Sequence, residues 1–260
     1  MRSIVLASIL PLSLAATVAA QDDQAAPETL SGARDQLDRA AFAVDRDGLK
    51  RARDRCQSWF DDASQGALAH YYAGLAEWRL SRSAADGARH GHILAAIEHL
   101  EASVENDAEL ADAWALLSYC RLLHLAYKPE DSGTFGPASS MAMARATELA
   151  PGNRRVVMFN AMRLFQTPAE YGGSQDEAFA RFRAATELAV PAVAVDDAGP
   201  VWGDAEVWGE FGRFSLLASP PRPEQALQAF EQAVEREPGY RFVTVRGMPR
   251  AKRMLAEDGG

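Results

Sequence analysis

The stretch ALQAFEQAVEREP, residues 226–238, decides the fold class of this chain. Its small and apolar positions Ala226, Phe230, Ala233 and Pro238 follow one another at intervals of four, three and five residues. The first three therefore share one stripe of a helix, and the proline marks the end of that helix. A helix with such a narrow stripe of small and apolar residues is suited to pack closely against a neighbouring helix.

The same ladder of four positions recurs three times earlier in the chain. Such self-similarity is typical of helical-repeat proteins, in which each unit buries its apolar stripe by stacking on the next unit. The earlier copies are Ala96, Leu100, Ser103 and Ala108; Ser139, Met143, Ala146 and Pro151; and Ala178, Phe182, Ala185 and Val190.

Each ladder is preceded by a segment in which a large apolar residue is followed closely by a small one. Trp208 and Gly212 precede the last ladder, and this copy is the clearest. The combination of this segment with the ladder resembles the tetratricopeptide repeat. The earlier segments are Tyr72 with Gly74, Trp114 with Ser118, and Val157 with Ala161.

The resemblance implies an all-α fold, a right-handed superhelix of about five helix pairs plus a capping helix. The ladders start 43, 39 and 48 residues apart, whereas the regular repeat has a period of about 34 residues. We expect the extra residues in hairpin loops at 81–91 and 127–136 and in a long excursion after Val190. Residues 28–44 and 48–60 would form a first, degenerate pair, and 249–258 the closing helix.

Residues 1–20 resemble a secretory signal, with one basic residue, a short apolar run and small residues before Gln21. We expect residues 21–260 to form the helical-repeat domain of an exported protein, periplasmic or secreted in a bacterium. An uncleaved leader tethered to the membrane is the alternative, although a spanning helix needs about 20 apolar residues. No membrane insertion is expected after cleavage.

The charge balance and the cysteines restrict the partners and the cross-links. The chain has 27 basic and 36 acidic side chains, so its net charge is −9, or −10 without Arg2. This field repels nucleic acid, and we expect no nucleic-acid partner.

Cys56 and Cys120 would form a bridge if they met in an oxidising compartment. Because they fall in non-neighbouring repeats, we expect two buried free thiols instead.

The sequence carries no motif for catalysis, and we expect neither an enzyme nor a cofactor. The one cluster of metal-ligating type is His90 and His92, with His99 farther along. No cysteine or carboxylate lies at a spacing that would complete a tetrahedral shell. The prediction is therefore a solvated loop leading into a helix, with metal binding as the alternative.

In tetratricopeptide solenoids the first helix of each pair lines a concave groove, and the resemblance implies the same here. Aromatic, methionine and arginine side chains of these helices would suit an apolar peptide segment or a small amphipathic anion. The alternative is that they belong to the core. The groove candidates are Tyr71, Trp78, Arg79, Asp112, Tyr119, Leu123, Arg155, Met158, Met162, Phe165, Glu206 and Arg213.

Together these observations predict a non-enzymatic, exported scaffold that binds a protein or peptide in the groove. The alternative is a solute-binding accessory, because Tyr171 to Ser174 are similar to the periplasmic helical-repeat component of tripartite transporters. An open groove would favour the peptide and an enclosed tunnel the solute. The cluster of Arg250, Lys252 and Arg253 is expected to be a polar cap, with a basic docking patch as the alternative.

Overall fold

The computed structural model describes residues 29–189 and 197–258. The expected leader and Val190 lie outside these ranges. The described residues form eleven α-helices and no strand. The helices are α1 (Leu30–Ala43), α2 (Arg46–Cys56), α3 (Gly66–Ser83), α4 (Asp86–Asn106), α5 (Ala111–Leu125), α6 (Ser132–Leu149), α7 (Arg154–Gln166), α8 (Gln175–Glu187), α9 (Asp204–Leu217), α10 (Pro223–Arg236) and α11 (Met248–Asp258).

Consecutive helices pack as hairpins: α3 with α4, α5 with α6, α7 with α8, and α9 with α10. The second helix of each hairpin carries one of the four ladders. The first three ladder positions are buried in every copy, which confirms that they face the partner helix. The predicted first pair is α1 with α2, and the predicted closing helix is α11.

Small residues on the first helices allow this close packing. A Cβ atom at Gly212 would lie 2.6 Å from the ring of Phe230, and one at Gly74 would lie 2.7 Å from Leu100. At the equivalent place in α5, the Ser118 hydroxyl donates a hydrogen bond to the carbonyl of Ser139 at 2.7 Å. The sequence pattern of small residues opposite the ladders therefore has a steric cause.

The prediction of two hairpin loops is wrong, because most of the residues concerned are helical. Residues 81–91 lie almost entirely in α3 and α4, which are joined only by residues 84–85. Residues 127–136 contain a short 3₁₀ turn and the start of α6, so that Pro137 lies inside the helix and not in its first turn. Phe135 stacks on His124 with ring centroids 4.2 Å apart. Such tertiary contacts outweigh the low helix propensity of glycine and proline in these segments.

The first and last parts of the chain meet across the interior of the molecule. Phe42 at the end of α1 contacts Tyr240 edge-on, with ring centroids 5.1 Å apart. Arg82 of α3 forms an ion pair with Glu210 of α9. These contacts bring helices from both ends of the sequence to one central space.

The two cysteines are free and buried, which confirms the prediction. Burial raises the pKa of the Cys56 thiol to about 12. A thiol with so high a pKa stays protonated at neutral pH and is a poor nucleophile.

Candidate functional site

A cavity of about 410 Å³ lies in the central space where both ends of the chain meet. Small-molecule sites in proteins commonly have volumes of about 300–1,000 Å³. Its wall is drawn from α1, α2, α3, α4, α5, α7 and α9, from the adjoining loops, and from residues 240–246. Trp78, Tyr119 and Met158 form its apolar side and are at most 4% exposed. An apolar ligand surface would be well covered there.

Seven of the twelve predicted groove residues line this cavity. They come from four different helices, which the fold brings together around one space. The seven are Trp78, Arg79, Tyr119, Leu123, Met158, Glu206 and Arg213.

The other five predicted residues do not line the cavity. Met162 is fully buried, and Phe165 packs edge-on against Phe214 with ring centroids 4.9 Å apart. Tyr71 and Arg155 form hydrogen bonds to a segment of the chain itself, and Asp112 pairs with Arg155.

That segment, residues 197–203, leads into α9 and lies against α1, α3 and α7. Arg34 donates hydrogen bonds to the carbonyls of Asp197 and Gly199, both at 2.9 Å. The Tyr72 hydroxyl donates to the carbonyl of Ala198 at 2.5 Å. A non-helical piece of this chain thus occupies part of the surface on which the sequence predicted a peptide.

Trp202 anchors the segment at its end. Its indole N–H donates to the Tyr71 hydroxyl at 2.8 Å, and Arg155 donates to its carbonyl at 2.9 Å. Arg155 is itself held by Asp112, with Nε and Oδ1 2.5 Å apart. Arg155 therefore binds the protein's own backbone and Tyr71 binds the Trp202 side chain, while Trp202 lines one side of the central cavity.

Arg79 links three elements beside the cavity. Its guanidinium lies 2.8 Å from Asp38 of α1 and 3.4 Å from Glu206 of α9. Burial raises the pKa of Glu206 to about 7, against the lowering effect of Arg79, and nearby Asp38 raises it further. Burial likewise raises the pKa of Asp38 above its usual value, against the lowering effect of Arg79. Glu206 is thus able to exchange a proton near neutral pH.

The pKa of Glu210 is shifted in the opposite direction. Burial alone would raise its pKa, but Arg213 and Arg82 outweigh burial and hold the pKa below its usual value. The Arg213 Nε atom lies 2.7 Å from Glu210 Oε2. This carboxylate stays charged at neutral pH and fixes two guanidinium groups in the cavity wall.

Arginines outnumber carboxylates in the cavity wall, although the chain is acidic. Five arginines line it, Arg79, Arg82, Arg89, Arg213 and Arg246, against the two glutamates just described. Arg246 is exposed and forms no ion pair within the described ranges. Sequence reasoning did not single out Arg82, Glu210, Trp202 or Arg246. The only available signal was Trp202, a large aromatic residue in an otherwise loop-like stretch.

The histidines lie in helices and not in the expected solvated loop. His90 and His92 belong to α4, and His92 Nδ1 lies 2.6 Å from Glu77 Oε2. His99 is half-buried, and burial lowers its pKa. Within residues 29–189 and 197–258 no group of three or more metal-ligating side chains forms.

No helix in the described part of the chain is long and apolar enough to cross a membrane. No protein-family model matches the sequence, and a search of curated proteins gives no significant match.

Proposed function

We propose that this chain is an exported, non-enzymatic binding protein of tetratricopeptide type that holds a small amphipathic molecule in its central cavity. The observation that carries the proposal is the cavity itself, an apolar space with a cationic wall. The leader pattern at residues 1–20 supports export to a bacterial periplasm.

The helix packing supports a repeat superhelix. The first helices of successive hairpins contact one another, α5 with α7 and α7 with α9, while α4 packs on α5 and α8 on α9. Stacked helix pairs produce this pattern of contacts between helices. The small residues at Gly74, Ser118, Ala161 and Gly212 recur at the same place in four hairpins.

A small molecule fits the inner surface better than a long peptide. Residues 197–203 already cover part of that surface through hydrogen bonds from Arg34, Tyr72 and Arg155. The space that remains is bounded by Trp78, Tyr119 and other side chains of several helices. This partial closure favours the solute-binding alternative over the peptide-binding scaffold.

The test is a fluorescence titration with N-phenyl-1-naphthylamine, a neutral apolar dye whose emission rises in apolar surroundings. Leu123→Trp enlarges a half-buried side chain of the cavity wall and should narrow the space. Leu94→Trp is the matched control, because Leu94 is 44% exposed and lies outside the cavity lining. We expect the wild type and Leu94→Trp to bind the dye alike, and Leu123→Trp to bind at least about tenfold more weakly.

Circular dichroism and thermal melts of both variants check that they fold. Absence of dye binding by the wild type would contradict the proposal. Equal binding by a folded Leu123→Trp would also contradict it, because the dye would then bind elsewhere.

A peptide-binding scaffold remains the second candidate. One observation favours it: side chains of α1, α3 and α7 already donate hydrogen bonds to three carbonyl groups of a non-helical segment, as a peptide groove would. A partner peptide would have to displace residues 197–203. Saturable binding of an extended peptide that releases Trp202, seen as a change in its fluorescence, would support this candidate over the small molecule.

A further inference from the structure

A second cavity, of about 330 Å³, lies next to the central one at the C-terminal end of the chain. It is formed by α9, α10, the π-helical turn Val243–Gly247 and α11. Leu216, Phe230 and Phe242 give it an apolar floor. Four arginines line it: Arg213, Arg246, Arg250 and Arg253.

The charge of this region is opposite to that of the whole chain. Residues 241–253 contain five basic side chains and no acidic one, in a protein with 36 acidic residues. Arg246, Arg250 and Arg253 are exposed and have no carboxylate partner among the described residues. Elsewhere in the described chain most arginines near the cavities are paired, as Arg213 is with Glu210.

A polar cap on the last repeat does not explain this single sign of charge. A cap needs polar side chains on its outer face, and a mixture of acidic and basic residues would serve. Like charges placed close together repel one another and weaken the fold slightly. An unpaired cationic cluster beside an apolar floor therefore points to an anionic ligand that neutralises it.

The two cavities share part of their walls. Arg213, Phe242 and Arg246 line both of them. A ligand in the central cavity that extended past these side chains would enter the arginine-rich cavity. The apolar part of such a ligand and its charged end would each find a matching environment.

We propose that the ligand is an amphipathic anion whose apolar part lies in the central cavity and whose acidic group is bound by Arg246, Arg250 and Arg253. This inference rests on the proposed function and adds the charge of the ligand to it. Guanidinium groups bind carboxylates, sulfonates and phosphates through paired, charge-assisted hydrogen bonds. The inference therefore covers any of these three acidic groups, because each is an anion that accepts hydrogen bonds from guanidinium groups.

The test compares two dyes that differ by one group. 1-Anilinonaphthalene-8-sulfonate is N-phenyl-1-naphthylamine with an added sulfonate, so the difference in their affinities reports on the anion. The pocket variant is Arg246→Gln with Arg250→Gln. The control is Arg241→Gln with Lys252→Gln, which removes two exposed charges from the same segment outside both cavity linings.

We expect the wild type to bind the anionic dye more tightly than the neutral one. The pocket variant should lose at least about tenfold in affinity for the anionic dye, since charge-assisted hydrogen bonds are removed. Its affinity for the neutral dye should change less than about twofold, and the control should change little for either dye.

Equal affinity of the wild type for both dyes would overturn the inference while leaving the proposed function standing. So would equal losses in the pocket variant and the control, because long-range charge alone would then explain the preference. If the neutral dye does not bind, the proposed function fails, and the inference fails with it.

Discussion

Glu206 is the carboxyl group of the cavity wall whose pKa burial raises toward neutrality. Its carboxylate accepts a hydrogen bond from the Gly203 amide at 2.9 Å and lies beside Arg79. Arg79 is shared with Asp38, so the two acids compete for one guanidinium. Protonation removes the negative charge of Glu206. Its competition with Asp38 for Arg79 is then weaker, and an anion in the cavity is repelled less.

The raised pKa of Glu206 gives a prediction with a definite sign. Burial raises that pKa from its ordinary 4.5 to about 7, so the folded protein binds the proton more tightly than the unfolded chain. The resulting stabilisation is fully present below pH 4.5 and is lost as the pH rises through 7. The free energy of unfolding of the wild type, relative to Glu206→Gln, should therefore fall between pH 5 and pH 8.

Urea denaturation of both proteins at several pH values measures this difference. A pKa change of this size corresponds to about 3 kcal/mol as an upper value. A constant difference between the two proteins from pH 5 to pH 8 would show that Glu206 titrates normally.

At the scale of elements, the segment 197–203 joins helices that are far apart in the sequence. Arg34 of α1, Tyr72 of α3 and Arg155 of α7 all donate hydrogen bonds to its carbonyls. Trp202 adds the largest side chain, which is 4% exposed and lies edge-on to Phe159 at 5.9 Å. The segment thus connects helices of different hairpins through hydrogen bonds and side-chain packing.

Trp202→Ala should therefore destabilise the whole fold. Loss of a buried tryptophan commonly costs about 3–5 kcal/mol, because it removes contacts and leaves a cavity. The control is Tyr171→Ala, since Tyr171 is 76% exposed and should change stability by less than about 0.5 kcal/mol. Comparable midpoints for the two variants in urea melts would show that the segment does not support the hairpins.

Periodic packing was predictable from the sequence, whereas long-range contacts were not. The ladders containing Phe182 and Phe230 predicted buried helix faces, because side chains three and four residues apart share one face. The packing of Trp202 on Tyr71 depends on residues 131 positions apart, and local patterns carry no information on such a contact. For the same reason, the sequence did not predict that α3 and α4 extend through residues 81–91.

The residues of the candidate site could likewise be predicted only in part, because some of them are positioned by long-range contacts. The family resemblance selected the first-helix side chains that face inward, such as Trp78, Tyr119 and Met158. It did not separate those that line the cavity from Tyr71 and Arg155, because that distinction depends on where the long excursion lies. The C-terminal segment lies outside the repeats, so the sequence offered its basic cluster only as a polar cap or a docking patch and did not single out Arg246.

At the scale of the whole molecule, the inner surface is divided between the chain's own segment and a central space. The contact of Phe42 with Tyr240 and the ion pair of Arg82 with Glu210 close this space from both ends of the sequence. Arginines at the C-terminal end give it a cationic side in an otherwise acidic protein. These features together suit the retention of one amphipathic molecule.

A crystal structure of the protein with bound N-phenyl-1-naphthylamine tests this conclusion most directly. Electron density for the dye is expected between Trp78, Tyr119 and Met158, with residues 197–203 still held by Arg34 and Arg155. Dye bound only on the outer surface, with nothing but water in the central cavity, would contradict the assignment of this cavity as the ligand site.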